Sequence, residues 1–375
     1  MKKITIFLLS SLFIITLTAC KSEKVNDNAV PVAEYKFEQN FHSTGGKYAL
    51  TPYGDLSFSQ TGIDDNALML KGGYILLSES DKIALKDAFT YSAWVKINDF
   101  ASYNPILFGN ESSTGDISGG PLSIYFNENY STLQCDITFN AGDEYKSHSF
   151  ISANSLNTDM LVSQWRHIAV TFSGETLRMY LDGKKIYDGT LPKDFGRYKT
   201  IASNSKPYTI GRSTDRNFDG SIDEVRIYDV AVSGDKINSI YQEKMSYYKN
   251  KMIIKKDSNE ITINGEKKVL SAPITSDYFY GRLLAPAKAL CDQMGATLTW
   301  DGEDGLGRID LSFKGHNASF WILNSNASFD GTHMKIEPYP QTINDIAYIP
   351  LAPMLDSIGG IINYNTEDET YTIYY

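Results

Sequence analysis

Between residue 32 and about residue 243, hydrophobic and polar positions alternate in short runs broken by Gly, Asn, Asp and Ser. The runs at 33–37, 67–70, 74–77, 90–97, 106–109, 122–126, 133–139, 167–172, 177–181 and 208–211 are rich in β-branched and aromatic residues. Period-two alternation of such residues suits a pleated, half-buried surface, so each run predicts a strand. No helical period separates them, and so many strands in succession predict a mainly β, two-sheet sandwich. Within 122–126 the alternation turns Leu122, Ile124 and Phe126 inward and Tyr125 outward.

The stretch 218–229 organises this region. Asp219-Gly220 has turn chemistry; Ile222, Val225 and Ile227 carry strand character, with Asp223 and Glu224 at the mouth. A helical pattern follows at Ile237, Ile240 and Tyr241. Residues 165–171 and 177–183 read as a hairpin closed by Asp182-Gly183, and 62–72 and 89–95 as opening strands. Together these landmarks resemble the laminin-G-like, concanavalin-A-like lectin-glucanase jelly rolls. The resemblance implies an antiparallel jelly-roll sandwich and two ligand chemistries. Some relatives hold a calcium ion where loops from the first and last strands meet; Asp223 carries over to that place, Glu38, Asp64 and Asn66 lie in early segments that could approach it, and any such ion here is expected to be structural. Hard cations require several oxygens at one point. The competing account is that Asp64 and Asn66 shape a turn and Asp223 accepts backbone hydrogen bonds. The family's Phe-Asp-Gly stands here as Leu70-Lys71-Gly72, which removes one acid. Sugar binding lays aromatic faces against a pyranose, and Tyr103, Tyr125 and Tyr130 in the loop-rich segment 98–145 are the candidates.

Lys244, Lys249, Lys251, Lys255 and Lys256 mark a boundary, read as a basic linker helix over 244–256. Beyond it, 257–375 contains an internal repeat: an offset of 64 relates Leu284 to Tyr348, Pro286 to Pro350, Leu290 to Met354, Gly295 to Gly359 and Trp300 to Tyr364. Each unit predicts a hairpin turn, at Asn264-Gly265 and Asp330-Gly331, a short helix after a proline, and a strand pair. Trp300 and Tyr364 are expected as core or inter-repeat plugs. This duplicated unit resembles the copper amine oxidase N-terminal-like domain and gives the chain a smaller α+β domain built from two repeats. That domain is accessory in the oxidases. The five histidines, His42, His148, His167, His316 and His333, show no ligand-pair spacing, so no copper is expected.

At the start of the chain, Lys2 and Lys3 precede an apolar run from 4 to 17 that ends at Leu17-Thr18-Ala19-Cys20. This reads as a lipoprotein signal peptide over 1–19, with Cys20 as the lipidation site and 20–31 as a polar tether to the outer face of a Gram-positive cell membrane. The competing reading is a plain signal peptide. A net charge of −10 argues against nucleic acid as a partner. Cys135 and Cys291 imply no disulfide framework. The expected partners are a glycan or cell-wall polymer, or a surface protein. No nucleophile elbow, Walker loop or zinc-protease motif occurs. The expectation is a non-enzymatic binding protein; the alternative is a glycoside hydrolase with an unrecognised pair of carboxylates about 5–10 Å apart.

Overall fold

The computed structural model describes residues 25–375 apart from 45–46, 60–61, 79–82, 84, 99–105, 111–119, 128–131, 153–163, 204–205, 214–215, 278–280, 304–305 and 366–367. Two antiparallel sheets form the sandwich. The first orders its strands Lys184–Thr190, Thr176–Leu181, Arg166–Phe172, Phe89–Ile97, Asp219–Tyr228, Ala67–Lys71 and Leu56–Ser59, with Ala33–Tyr35 also on Asp219–Tyr228. The second runs Glu144–Ile151, Leu133–Ala141, Leu122–Phe126, Ile106–Asn110, Tyr208–Ile210, Tyr74–Leu77 and Leu50–Tyr53. Alternation does the sorting: Phe89, Tyr91, Ala93 and Val95 of the first sheet meet Leu122, Ile124, Leu133, Cys135 and Ile137 of the second in one core.

The closing stretch departs from expectation at one point. Asp219-Gly220 is not a turn but the start of a ten-residue strand in register with Lys71 and Ile97. A Cβ on Gly220 would come within 2.2 Å of the Lys96 carbonyl oxygen, so glycine serves close backbone approach. A bulge then shifts the register between Asp223 and Arg226, and Glu224 takes a φ of 50°. The bulge breaks the simple alternation, and Asp223 and Glu224 are both buried.

Helix α1, Gly234–Met245, starts at Ser233, whose side chain accepts from the Lys236 amide. Its apolar face lies on the outer side of the first sheet. Ile237 and Ile240 pack with Ala169, Tyr180 and Tyr228, while Tyr241 and Met245 pack with Trp94 and Trp165. The expected helix over 244–256 is not formed: α1 ends at Met245, and Lys251–Lys255 is a strand with Met252 and Ile254 buried between exposed lysines. Lys244 is no solvated residue either; it is buried.

The remaining chain builds an eight-stranded and a five-stranded antiparallel sheet around a second core. The two repeats meet where Leu283–Pro286 pairs with Ile346–Pro350, and each proline opens a helix, α2 (Ala287–Met294) and α3 (Leu351–Ser357). Asn264-Gly265 and Asp330-Gly331 form two-residue turns with positive φ at all four residues. Trp300 is not a core plug: it sits 41% exposed at the middle of Thr297–Glu303.

Candidate functional site

The first sheet's outer side is covered by α1 and by Ile361 of the second domain. The second sheet's outer side carries polar residues instead, because each inward Leu133, Cys135, Ile137 and Phe139 leaves Gln134, Asp136, Thr138 and Asn140 facing the other way. Strand register sets Leu76, Thr209, Gly109, Ser123, Asp136 and Ser149 in one line across it. Side chains in this line are small except at Leu76. Gly109 keeps the line low where a Cβ would reach within 2.7 Å of the Leu122 carbonyl oxygen.

Asp136 is held in the middle of this line. The Tyr125 hydroxyl donates to its Oδ2 at 2.7 Å, and Gln134 Nε2 donates to its Oδ1 at 2.9 Å. In the next line the hydroxyls of Thr138 and Ser147 lie 2.9 Å apart. The Ser123 hydroxyl is buried with no hydrogen-bond partner among the described residues. Ser123, Thr138 and Thr209 are buried, so the groups within a ligand's reach are half-buried Asp136, whose carboxylate fixed on two sides retains lone pairs, half-buried Gln134, and the exposed hydroxyls of Ser147 and Ser149. This is chemistry suited to a hydroxylated ligand.

Of the expected ligand-binding tyrosines, Tyr125 does point to this outer side, yet it is only 5% exposed and is engaged through its hydroxyl. It orients Asp136 and offers no open ring for stacking. Tyr103 and Tyr130 lie outside the described residues, as does Cys20. Asp136, Gln134 and Ser123 are not among the residues the sequence pointed to; the signal that could have found Gln134 and Asp136 is their alternation with the inward Leu133, Cys135 and Ile137.

A second cluster lies where the closing strand meets the segment 62–66. Asp223 accepts from the amides of Ile63 at 3.0 Å and Glu224 at 2.7 Å. Glu38 Oε2 accepts from the Asn66 amide at 3.3 Å and from Asn66 Nδ2 at 3.0 Å. Burial pushes the Asp223 carboxyl well above the usual range, and the charges of Glu224 and Glu38 add to it. Asp64 points elsewhere, to Lys244 Nζ at 2.6 Å, and the same ammonium donates to Glu224 Oε1 at 2.8 Å. Burial lowers the Lys244 pKa, but Asp64 and Glu224 outweigh it and hold the ammonium above its usual value. The structure thus gathers Glu38, Asn66 and Asp223 and gives Asp64 to a lysine. Among the described residues no three His, Cys, Asp or Glu side chains converge as a metal-ligand set. Glu38, Asn66 and Asp223 supply only two carboxylates and an amide, so carbonyl oxygens would have to complete a calcium shell.

Residues 70–238 match the Concanavalin A-like lectin/glucanases superfamily, and residues 277–373 match the Copper amine oxidase N-terminal domain. No match was found among curated proteins. Among solved structures, domain 4 of AbnA, a GH43 extracellular arabinanase from Geobacillus stearothermophilus solved with arabinotriose, is 18% identical with a TM-score of 0.43, covering 56% of this chain and 98% of its own. The binding domain of Paraclostridial Mosquitocidal Protein 1 is 13% identical with a TM-score of 0.47, covering 92% and 97%. The receptor binding domain of botulinum neurotoxin D is 12% identical with a TM-score of 0.46, covering 93% and 79%.

Proposed function

We propose that this chain, a concanavalin A-like jelly roll followed by a copper amine oxidase N-terminal-like domain, is a non-catalytic surface lipoprotein that binds a glycan or cell-wall polymer through the outer face of its second sheet. The observation that carries this reading is Asp136, held by Tyr125 and Gln134 within a line of small and hydroxylated side chains. Hydrolysis of a glycoside needs a second carboxylate across the bond. The residues that flank Asp136 in register are Ser123 and Ser149, and the outward neighbours along its strand are Gln134 and Thr138. That composition favours holding over cleaving. The lipid at Cys20 and the place on the outer face of a Gram-positive membrane rest on the residue pattern of 1–20.

The test is sedimentation of the soluble full-length protein with purified peptidoglycan and with a panel of neutral polysaccharides. Asp136→Asn and Gln134→Ala should weaken binding about tenfold or more, the effect of losing one hydrogen bond to a charged group, with the melting temperature unchanged. Binding that survives both substitutions at full strength rules out this face, and release of reducing sugar would replace binding by hydrolysis.

Calcium belongs to the same reading as a structural ion. Glu38, Asn66 and Asp223 would hold it, and its charge would relieve the buried carboxyl of Asp223, which burial and the nearby Glu224 and Glu38 push up. Calcium at about a hundredfold its dissociation constant should add about 2.7 kcal/mol of stability. The shift is read by thermal denaturation with and without a chelator, and it should vanish in Asp223→Asn.

A further inference from the structure

The outer side of the first sheet carries side chains that do not suit water. Trp94 and Trp165 are buried there together with Tyr241 and Met245 of α1, and Ile361 of the second domain completes the cluster. Ile63 and Ala67, from the segment that meets Asp223, belong to it too. Lys96, 6% exposed, lies on the same side; its ammonium reaches Asp356 of α3 at 2.6 Å and sits 5.4 Å from the centre of the Trp165 ring. Asn363 donates to the Tyr241 hydroxyl at 2.6 Å. Tyr248, in the connection after α1, contacts Tyr374 with ring centres 6.3 Å apart.

Domains of one chain move relative to each other by default unless a large apolar interface forbids it. Here separation would uncover Ile361 and the side of the Trp94, Trp165, Tyr241 and Met245 cluster on which it packs, and would take from Lys96 the carboxylate that pairs with it. Residues 246–250 alone join Met245 to the strand that begins at Lys251. So short a connection keeps the local concentration of the second domain high over its seat.

We infer that residues 251–375 are a fixed cover seated on the outer face of the first sheet, fastened by Lys96 to Asp356 and by Tyr241 to Asn363. They are not an independently swinging arm. The apolar cluster supplies the adhesion, and the ion pair and the amide-hydroxyl bond set the angle. The seat is distinct from the Asp136 face, which lies on the other sheet, so this inference does not rest on the proposed glycan binding.

Charge reversal in the full-length protein tests it. Lys96→Asp and Asp356→Lys singly place like charges face to face; each should split one thermal transition into two and raise the radius of gyration in small-angle scattering. Combining them should restore the single transition and the compact value. Should either single variant fail to fold, Asp356→Asn with Asn363→Ala, which removes both fasteners without adding a charge, provides the same two readouts. Scattering from the wild-type protein that fits a broad range of domain separations, or single variants and the milder pair that keep its radius and its one transition, would overturn the cover.

Discussion

At the scale of single residues, two buried charged or chargeable groups dominate. His167 is fully enclosed, with Nε2 2.9 Å from the Ser92 hydroxyl and its ring 5.3 Å from Trp94. Burial, with Arg226 adding to it, pushes its pKa down to about 3. Below pH about 6.5 an unfolded chain binds a proton here that the folded chain refuses until about pH 3, so folding stability is present above that window and is lost as pH falls through it. The loss approaches about 1.4 kcal/mol per pH unit. Asp223, whose folded pKa is raised, works in the opposite direction, so the clean measurement is a difference: urea titrations from pH 7 to 4 should show a smaller acid loss in His167→Gln than in the wild type. Lys244 is the second group. Lys244→Met takes from Glu224 one of its two cationic partners, Arg226 Nη2 at 3.2 Å remaining, and from half-buried Asp64 its ammonium, and should cost about 1–3 kcal/mol, read from chemical denaturation at neutral pH. A lysine run reads as a solvated helix when only neighbours along the chain are considered. The partners that draw Lys244 inward, Asp64 and Glu224, are distant in sequence or on another element, so its burial was not legible.

At the scale of elements, alternation was a faithful guide wherever a run was long enough to repeat. The strands Phe89–Ile97, Leu122–Phe126 and Leu133–Ala141 follow it, and the same pattern placed Tyr125 on the outer side. It could not show that Tyr125 is covered, since cover comes from other segments. Shorter signals failed for physical reasons. Lys251–Lys255 holds only Met252 and Ile254 as alternating anchors, too few to outweigh the lysines around them. Asp219-Gly220 carries turn residues, yet its glycine answers to the crowding of Lys96 across the sheet. Gly220→Ala should therefore destabilise by about 1–3 kcal/mol, as an overpacked site does, and a guanidinium titration measures it. Because the collision is with the backbone of Lys96, the same substitution should also loosen the seat of the second domain.

At the scale of the whole molecule, the two sheets of the sandwich divide the work. One outer side is closed by α1 and the second domain; the other presents Asp136. The second domain has a topology whose consequence lies in how the chain acquires its shape. Its first strand, Lys251–Lys255, pairs with its last, Thr370–Tyr374. Joining segments so far apart in sequence carries a loop-closure entropy that is met late, and such non-local pairing slows folding. During synthesis or export the jelly roll is complete as soon as Asp219–Tyr228 has emerged, whereas the second domain has no partner for its opening strand until the final residues arrive. Through that interval the seat of Ile361 on the cluster of Trp94, Trp165, Tyr241 and Met245 stands uncovered, an exposed apolar patch of the kind that invites non-specific association. Shortening the chain by Thr370–Tyr374 should make this interval permanent, leaving a jelly roll that binds a hydrophobic dye and aggregates.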